Sequence, residues 1–231
     1  MTASGTSKWR EWYESLEVLA VTGFLFAGLF LASLLLVTGE PPLEAGAAEV
    51  ERWFSDPNRL ARALTGLNLA PVSIIAFLWF MAVFRQRLGA AGGTLVATVF
   101  LGSGLLFAAL YLSGVAALAS GAVMVEYAGL EPALPAWQLA RALGTALLSV
   151  HAARMGAVFV ITTATLGLRS GALMKPTAVV GYGLGAAMLI GAVFREPSPY
   201  LLPAWVAIAS LDLLRRRKLL LERLHRAKSE R

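Results

Sequence analysis

VLAVTGFLFAGLFLASLLLV, residues 18–37, contains neither a charged side chain nor a proline. Wound into an α-helix at ~1.5 Å per residue, a stretch of this length covers ~30 Å, the depth of a bilayer's hydrocarbon core. Reading outward from it, the pattern recurs. Leu67–Phe84 reads as the core of a longer helix, Gly92 to Val125 is a third uncharged region, and Ala142–Leu168, Pro176–Phe194 and Pro199–Leu214 follow. The expectation is an all-α fold, a polytopic transmembrane bundle of six helices at about 18–37, 67–84, 93–118, 142–168, 176–194 and 199–214. An N-terminal segment, 1–17, and a basic tail, 215–231, flank it. The third region's 34 residues exceed one upright crossing, so it either tilts strongly or breaks near Ser120-Gly121 and continues along the interface. The sixth span is short and carries Pro203.

Composition supports this reading. The 231 residues are 58% hydrophobic and 15% charged, against about a quarter charged in soluble domains. A water-soluble helical bundle would need a polar face on each helix, and too few charges are present to supply one. Cysteine is absent, which excludes disulfides, thiolate metal centres and cysteine catalysis. Met1 to Glu17 is too long and too mixed in sign for a signal peptide's basic region. Span one also leads into Gly39-Glu40-Pro41-Pro42 rather than a small-residue cleavage site, so it is expected to be a retained helix.

Charge placement sets the expected orientation. Fourteen Lys/Arg fall on the side holding the N-terminus, the Arg85/Arg87 loop, the Arg169/Lys175 loop and the tail. Five fall on the other side (Arg52, Arg59, Arg62, Arg141, Arg195), and Arg154 lies within span four. The positive-inside rule then puts both termini in the cytoplasm. On the opposite side, Ala47 to Phe54 reads as a short surface helix with Val50, Trp53 and Phe54 towards lipid. Asp56-Pro57 reads as an N-cap with proline at the first helical position, so the second helix should begin well before its apolar core. The tail alternates basic residues with Leu219, Leu220, Leu221 and Leu224. It suits anionic inner-leaflet lipid, and without a recognition module it does not indicate nucleic acid.

Leu60-Ala61-Arg62-Ala63-Leu64 before span two recurs as Leu139-Ala140-Arg141-Ala142-Leu143 before span four. Ala27-Gly28-Leu29 likewise aligns with Ser103-Gly104-Leu105. The matches read either as two helix hairpins duplicated in the same orientation or as coincidence in Ala/Leu-rich sequence. Gly102, Gly104, Gly181 and Gly185 are the candidate helix-packing positions, within the bundle or along a homo-oligomer seam.

Arg154 is the candidate centre of function. An arginine at mid-membrane depth costs roughly 2.5–3.5 kcal/mol on insertion scales, and so demands a partner. His151 lies near it on the same helix, and Ser149 and Thr162 add polar groups. One reading is a site for an anion, with Arg154 binding and His151 relaying a proton. The other is a structural brace, with Arg154 satisfied by backbone carbonyls or by a carboxylate drawn from Asp212, Glu17 or Glu126. Retinal chemistry is excluded because no lysine lies in a span; paired-histidine haem is excluded because His151 is the sole intramembrane histidine. A remote enzyme reading pairs Ser103 with His151 as an intramembrane Ser–His dyad. Its glycine pattern departs from that of the rhomboid proteases at Leu101.

Phe77-Leu78-Trp79-Phe80 through Arg85-x-Arg87-Leu88-Gly89, Ala97 through Phe107, and Arg154-Met155 through Thr165 together resemble uncharacterised multi-pass membrane proteins of actinobacteria. That resemblance implies a bacterial plasma membrane and carries no activity, cofactor or site residue. The expected protein is a non-enzymatic membrane component with a polar centre on helix four, partnered by the lipid bilayer, a second copy or another membrane protein. It has no cofactor beyond a bound lipid. The alternative is a transporter or receptor for a small anionic or amphipathic ligand at Arg154 and His151.

Overall fold

The computed structural model describes the backbone of residues 3–88, 95–130, 132–191 and 198–229, and the side chains of 18–88, 95–130, 132–191 and 199–215. Within them the chain is helical. The helices are α1 (Ala3–Val37), α2 (Ala47–Phe54), α3 (Pro57–Gln86), α4 (Leu95–Ala128) and α5 (Leu134–Ala146). A π-helical turn at Leu147–Ala152 joins α5 to α6 (Ala153–Arg169); α7 (Lys175–Gly191) and α8 (Ser198–Ser229) complete the fold. Four segments are long and apolar enough to cross a membrane: Val18–Val37, Pro57–Gln86, Leu95–Ala128 and the continuous rod Leu134–Arg169.

Local chemistry fixes the helix ends. Asp56 Oδ1 accepts the Asn58 N–H at 2.9 Å and Pro57 opens α3, the expected cap, so α3 begins ten residues before the Leu67 where its apolar core starts. Gly129, at φ +61°, follows the end of α4, and Gly171, at φ +70°, follows α6; both are left-handed conformations that glycine adopts without penalty. Asp212 of α8 accepts the Met174 N–H at 2.8 Å and so fixes the turn into α7.

Long helices pack antiparallel to their chain neighbours. Ser33 of α1 donates to the Gly66 carbonyl of α3 at 2.7 Å. A Cβ on Gly66 would stand 2.8 Å from the Ser33 carbonyl oxygen, and one on Gly144 of α5 2.9 Å from that of Gly114 in α4. Both glycines come shortly after the paired Leu-Ala-Arg-Ala-Leu motifs, so each motif leads into a close helix crossing. Further along, Gly181 of α7 lies against Trp205 of α8 and Ala164 of α6, and Gly185 lies against Ile161 and the Ala157 carbonyl.

Aromatic rings fill the centre. Phe26, Phe77, Phe159 and Phe100 form a chain with centroids 4.8, 4.9 and 5.1 Å apart, and Phe30 stacks on Tyr111 at 4.3 Å. The outer surface is apolar as well: Val21, Leu35, Ile75, Trp79, Val179 and Ile190 are all exposed. That combination, a packed core inside an apolar exterior, suits hydrocarbon surroundings.

Several expectations need correction. The third region neither breaks nor turns at Ser120-Gly121, because α4 runs unbroken to Ala128 and Phe54 of α2 packs on Gly121. Residues 93 and 94 of the expected span lie outside the described residues, as do 192–194 of the fifth. Val50, Trp53 and Phe54 face protein rather than lipid. They form a second small core with Ala45, Leu60, Ala63, Ala122 and Trp137, which α2 roofs. The backbone of α1 begins at Ala3 and that of α8 continues to Ser229, so both helices extend past the expected span ends.

Candidate functional site

Pro41 and Pro42 stop any continuation of α1, and the chain turns sharply at Gly39 and Glu40 beneath the α2 roof. Trp53 of α2 pins this turn by donating its indole N–H to the Gly39 carbonyl at 3.1 Å. The Glu40 side chain is thereby driven inward and is fully shielded from solvent. Its Oε2 accepts the Trp137 indole N–H at 3.1 Å and Arg141 Nη1 at 3.4 Å, while Arg141 Nη2 donates to the Glu40 carbonyl at 3.3 Å. Trp137 and Arg141 sit one turn apart on α5, with the guanidinium 5.9 Å from the indole centroid. Among the described residues, Glu40 Oε1 has no hydrogen-bond partner.

Burial pushes the Glu40 carboxyl up to about 7, against the opposing pull of Arg141 and its two side-chain hydrogen bonds. A single long ion pair does not repay the loss of water around a carboxylate. Buried acids perturbed in this way cluster at functional sites.

Two clefts flank the pair. The larger, about 830 Å³, lies between the end of α1, α5 with its π-helical turn, and the start of α8. Arg141, Glu44, Thr38, Thr145, Ser149 and Tyr200 give it a polar wall, and Leu34, Leu118, Leu148 and Val150 an apolar floor. The smaller, about 560 Å³, is bounded by Glu40, Glu49, Trp53, Arg59 and Arg62. Leu148 of the π-helical turn seats directly on Gly114, where a Cβ would approach within 2.7 Å. Ser149 and Val150 of the same turn line the cleft. Turns of this kind recur at functional sites in other helices.

Arg154 and His151, the centre expected from the sequence, lie further along the same rod. The structure does not gather those residues. Arg154 is half-buried and His151 exposed, and neither makes a hydrogen bond or ion pair among the described residues. Of the proposed brace partners, Asp212 accepts the Met174 N–H through one oxygen and Glu126 is exposed; the Glu17 side chain lies outside the described residues. Thr162 is satisfied within its own helix, its hydroxyl donating to the Val158 carbonyl at 2.8 Å. Ser149 alone among the candidates lines the large cleft. Ser103 donates to the Phe100 carbonyl at 3.2 Å in its own helix and does not meet His151, so the Ser–His dyad is not formed. Of the packing glycines, Gly104 meets Met81 and Phe159, and Gly181 and Gly185 lie at crossings; a Cβ on Gly102 would meet nothing within 4 Å among the described residues.

Glu40 escaped notice because it reads as an ordinary loop acid just past a span. One signal pointed to its partner: Arg141 stands in the repeated Leu-Ala-Arg-Ala-Leu motif beside a tryptophan. Among the described residues, no cluster of three or more His, Asp or Glu could hold a metal ion. Comparison of the chain with protein families, curated proteins and solved structures returns no match.

Proposed function

We propose that the protein is a six-span membrane protein of the bacterial plasma membrane, with both termini cytoplasmic and the α2 roof on the outer side, that binds a small amphipathic anion as a receptor or carrier. The resemblance to actinobacterial membrane proteins and the basic bias of the opposite end support this placement. α7 and the first half of α8 supply the fifth and sixth spans of this reading: α7 packs on α6 and α8, and α8 packs on α1 and α6. Anionic lipid at the α8 extension remains the expected inner-leaflet contact. The non-enzymatic reading is kept, and the site moves from Arg154 to Arg141.

One observation carries the reading: the about 830 Å³ cleft has a guanidinium on one wall and an apolar floor. Its size is that of a small-molecule site, and its two-sided chemistry matches a ligand with one anionic group and one hydrocarbon end.

The test uses the protein in lipid nanodiscs with three probes of equal chain length: decyl sulfonate, decanol and decyltrimethylammonium. Decyl sulfonate is expected to raise the melting temperature and the other two to leave it unchanged. Thr145→Trp, which fills the cleft from an exposed position, should abolish the shift while preserving the unliganded melting temperature. Equal stabilisation by all three probes would end the reading.

A further inference from the structure

The Glu40–Arg141 pair is arranged unlike an ordinary structural salt bridge. Arg141 offers two nitrogens to one residue, but only one reaches a carboxylate oxygen; the other takes the Glu40 backbone carbonyl. The guanidinium is therefore held in place by a contact that survives protonation of the carboxyl. Its charge is neutralised by a contact that does not. Glu40 Oε1, buried and without a partner among the described residues, is the free position for a proton.

Building on the binding reading above, we propose that Glu40 takes up a proton when Arg141 captures the anion, so that the site binds an anionic amphiphile and a proton together. With Glu40 ionised, Arg141 already has its counter-charge and a second anion would leave the pocket net negative. With Glu40 neutral, the guanidinium stays where the carbonyl holds it, faces the large cleft, and lacks a counter-ion. The proton comes from solution and settles on a carboxylate oxygen of Glu40; no bond other than the O–H forms or breaks.

The other charges around Glu40 do not substitute for this switch. From α3, Arg59 and Arg62 border the smaller cleft, and Arg59 is engaged with Asp56 at 3.2 Å. From α2, Glu49 borders the same cleft. Glu44 lies on the wall of the larger cleft with Tyr200 of α8. Of all these, only Arg141 acts appreciably on the Glu40 carboxyl, which burial holds up at about 7. Both of its forms are thus populated in neutral solution.

Two measurements test the linkage. The first is calorimetry of decyl sulfonate binding to the unaltered protein in nanodiscs at pH 7.5, in two buffers of different ionisation enthalpy. A sulfonate does not titrate in this range, so any proton taken up belongs to the protein. Uptake of roughly three-quarters of a proton per ligand is expected, with affinity falling about fivefold from pH 7 to 8 and about tenfold for each further unit as the protonated form is depleted. The second is the Trp137 fluorescence, isolated as the difference between the wild-type protein and Trp137→Phe. It should titrate without ligand and become flat in Glu40→Gln. Decyl sulfonate binding with no proton uptake and a flat pH profile overturns the linkage and leaves the binding reading standing. No binding at any pH overturns both.

Discussion

At Glu40 a fully shielded carboxyl sits with one oxygen bonded and one bare, and its folded-state proton affinity follows from that geometry. The carboxyl is raised from 4.5 to about 7 on folding, so between these values the folded protein binds more protons than the unfolded one. Stability is then fully supported below about 4.5 and declines as pH rises to about 7, beyond which it is level. The decline amounts to roughly 2–4 kcal/mol from the size of the shift. Melting in detergent from pH 4.5 to 8.5 should show it as a falling melting temperature. Glu40→Gln should remove the slope, because it supplies a neutral group of the same shape that still accepts the Trp137 N–H. An unchanged slope in that variant would place the titration elsewhere. Arg154 illustrates the opposite case at the same scale. Its position in the sequence identified an arginine far from any loop, but not which way the helix turns it. The π-helical turn immediately before it alters that phase, and nothing in the run Leu147–Ala152 announces such a turn.

The helices themselves were legible because their cause is local and repeated. Long uncharged runs, Asp56-Pro57 and the glycines after α4 and α6 all act within a few residues. Contacts between helices were legible only where glycine is required. Gly66→Ala places a methyl 2.8 Å from a backbone carbonyl and 2.6 Å from Val37 Cγ2, neither of which can retreat cheaply; a loss of about 1–3 kcal/mol is expected. Gly102→Ala meets open space on an exposed helix position, so the same change should be neutral or stabilise by up to about 1 kcal/mol. Paired melting curves in one detergent decide between them, and equal effects would contradict the assignment. Asp212 makes a parallel case at the turn into α7. Asp212→Ala leaves the Met174 N–H without its acceptor and should cost about 1–3 kcal/mol, whereas Asp212→Asn keeps an acceptor oxygen and should recover most of it. The direction of α2 was not legible, for its apolar stripe fits lipid and protein equally. Burial under it of Leu60 and Ala63 from the next helix, and of Ala122 and Trp137 from far along the chain, decided for protein.

For the molecule as a whole, the arrangement of two clefts and a buried acid at one end, with the basic residues concentrated at the other, gives the bundle a polarity that must match the membrane's. If the α2 end faces outward, the proton and the amphiphile proposed for this site both arrive from the exterior. If it faces inward, the site samples the cytoplasm and the basic residues stand on the side that disfavours them. The chain's own composition makes the distinction easy to measure, because it contains no cysteine and every introduced thiol is the sole target. Ser55→Cys, exposed beside α2, should react in intact cells with a membrane-impermeant maleimide. Gln86→Cys, exposed at the far end of α3, should react only after the membrane is opened. These two positions flank the same helix, so opposite accessibility would also establish that α3 crosses. Labelling of both from outside would remove α3 as a span. The reversed pattern would turn the bundle over and send the cleft, with its proton, to the cytoplasmic face.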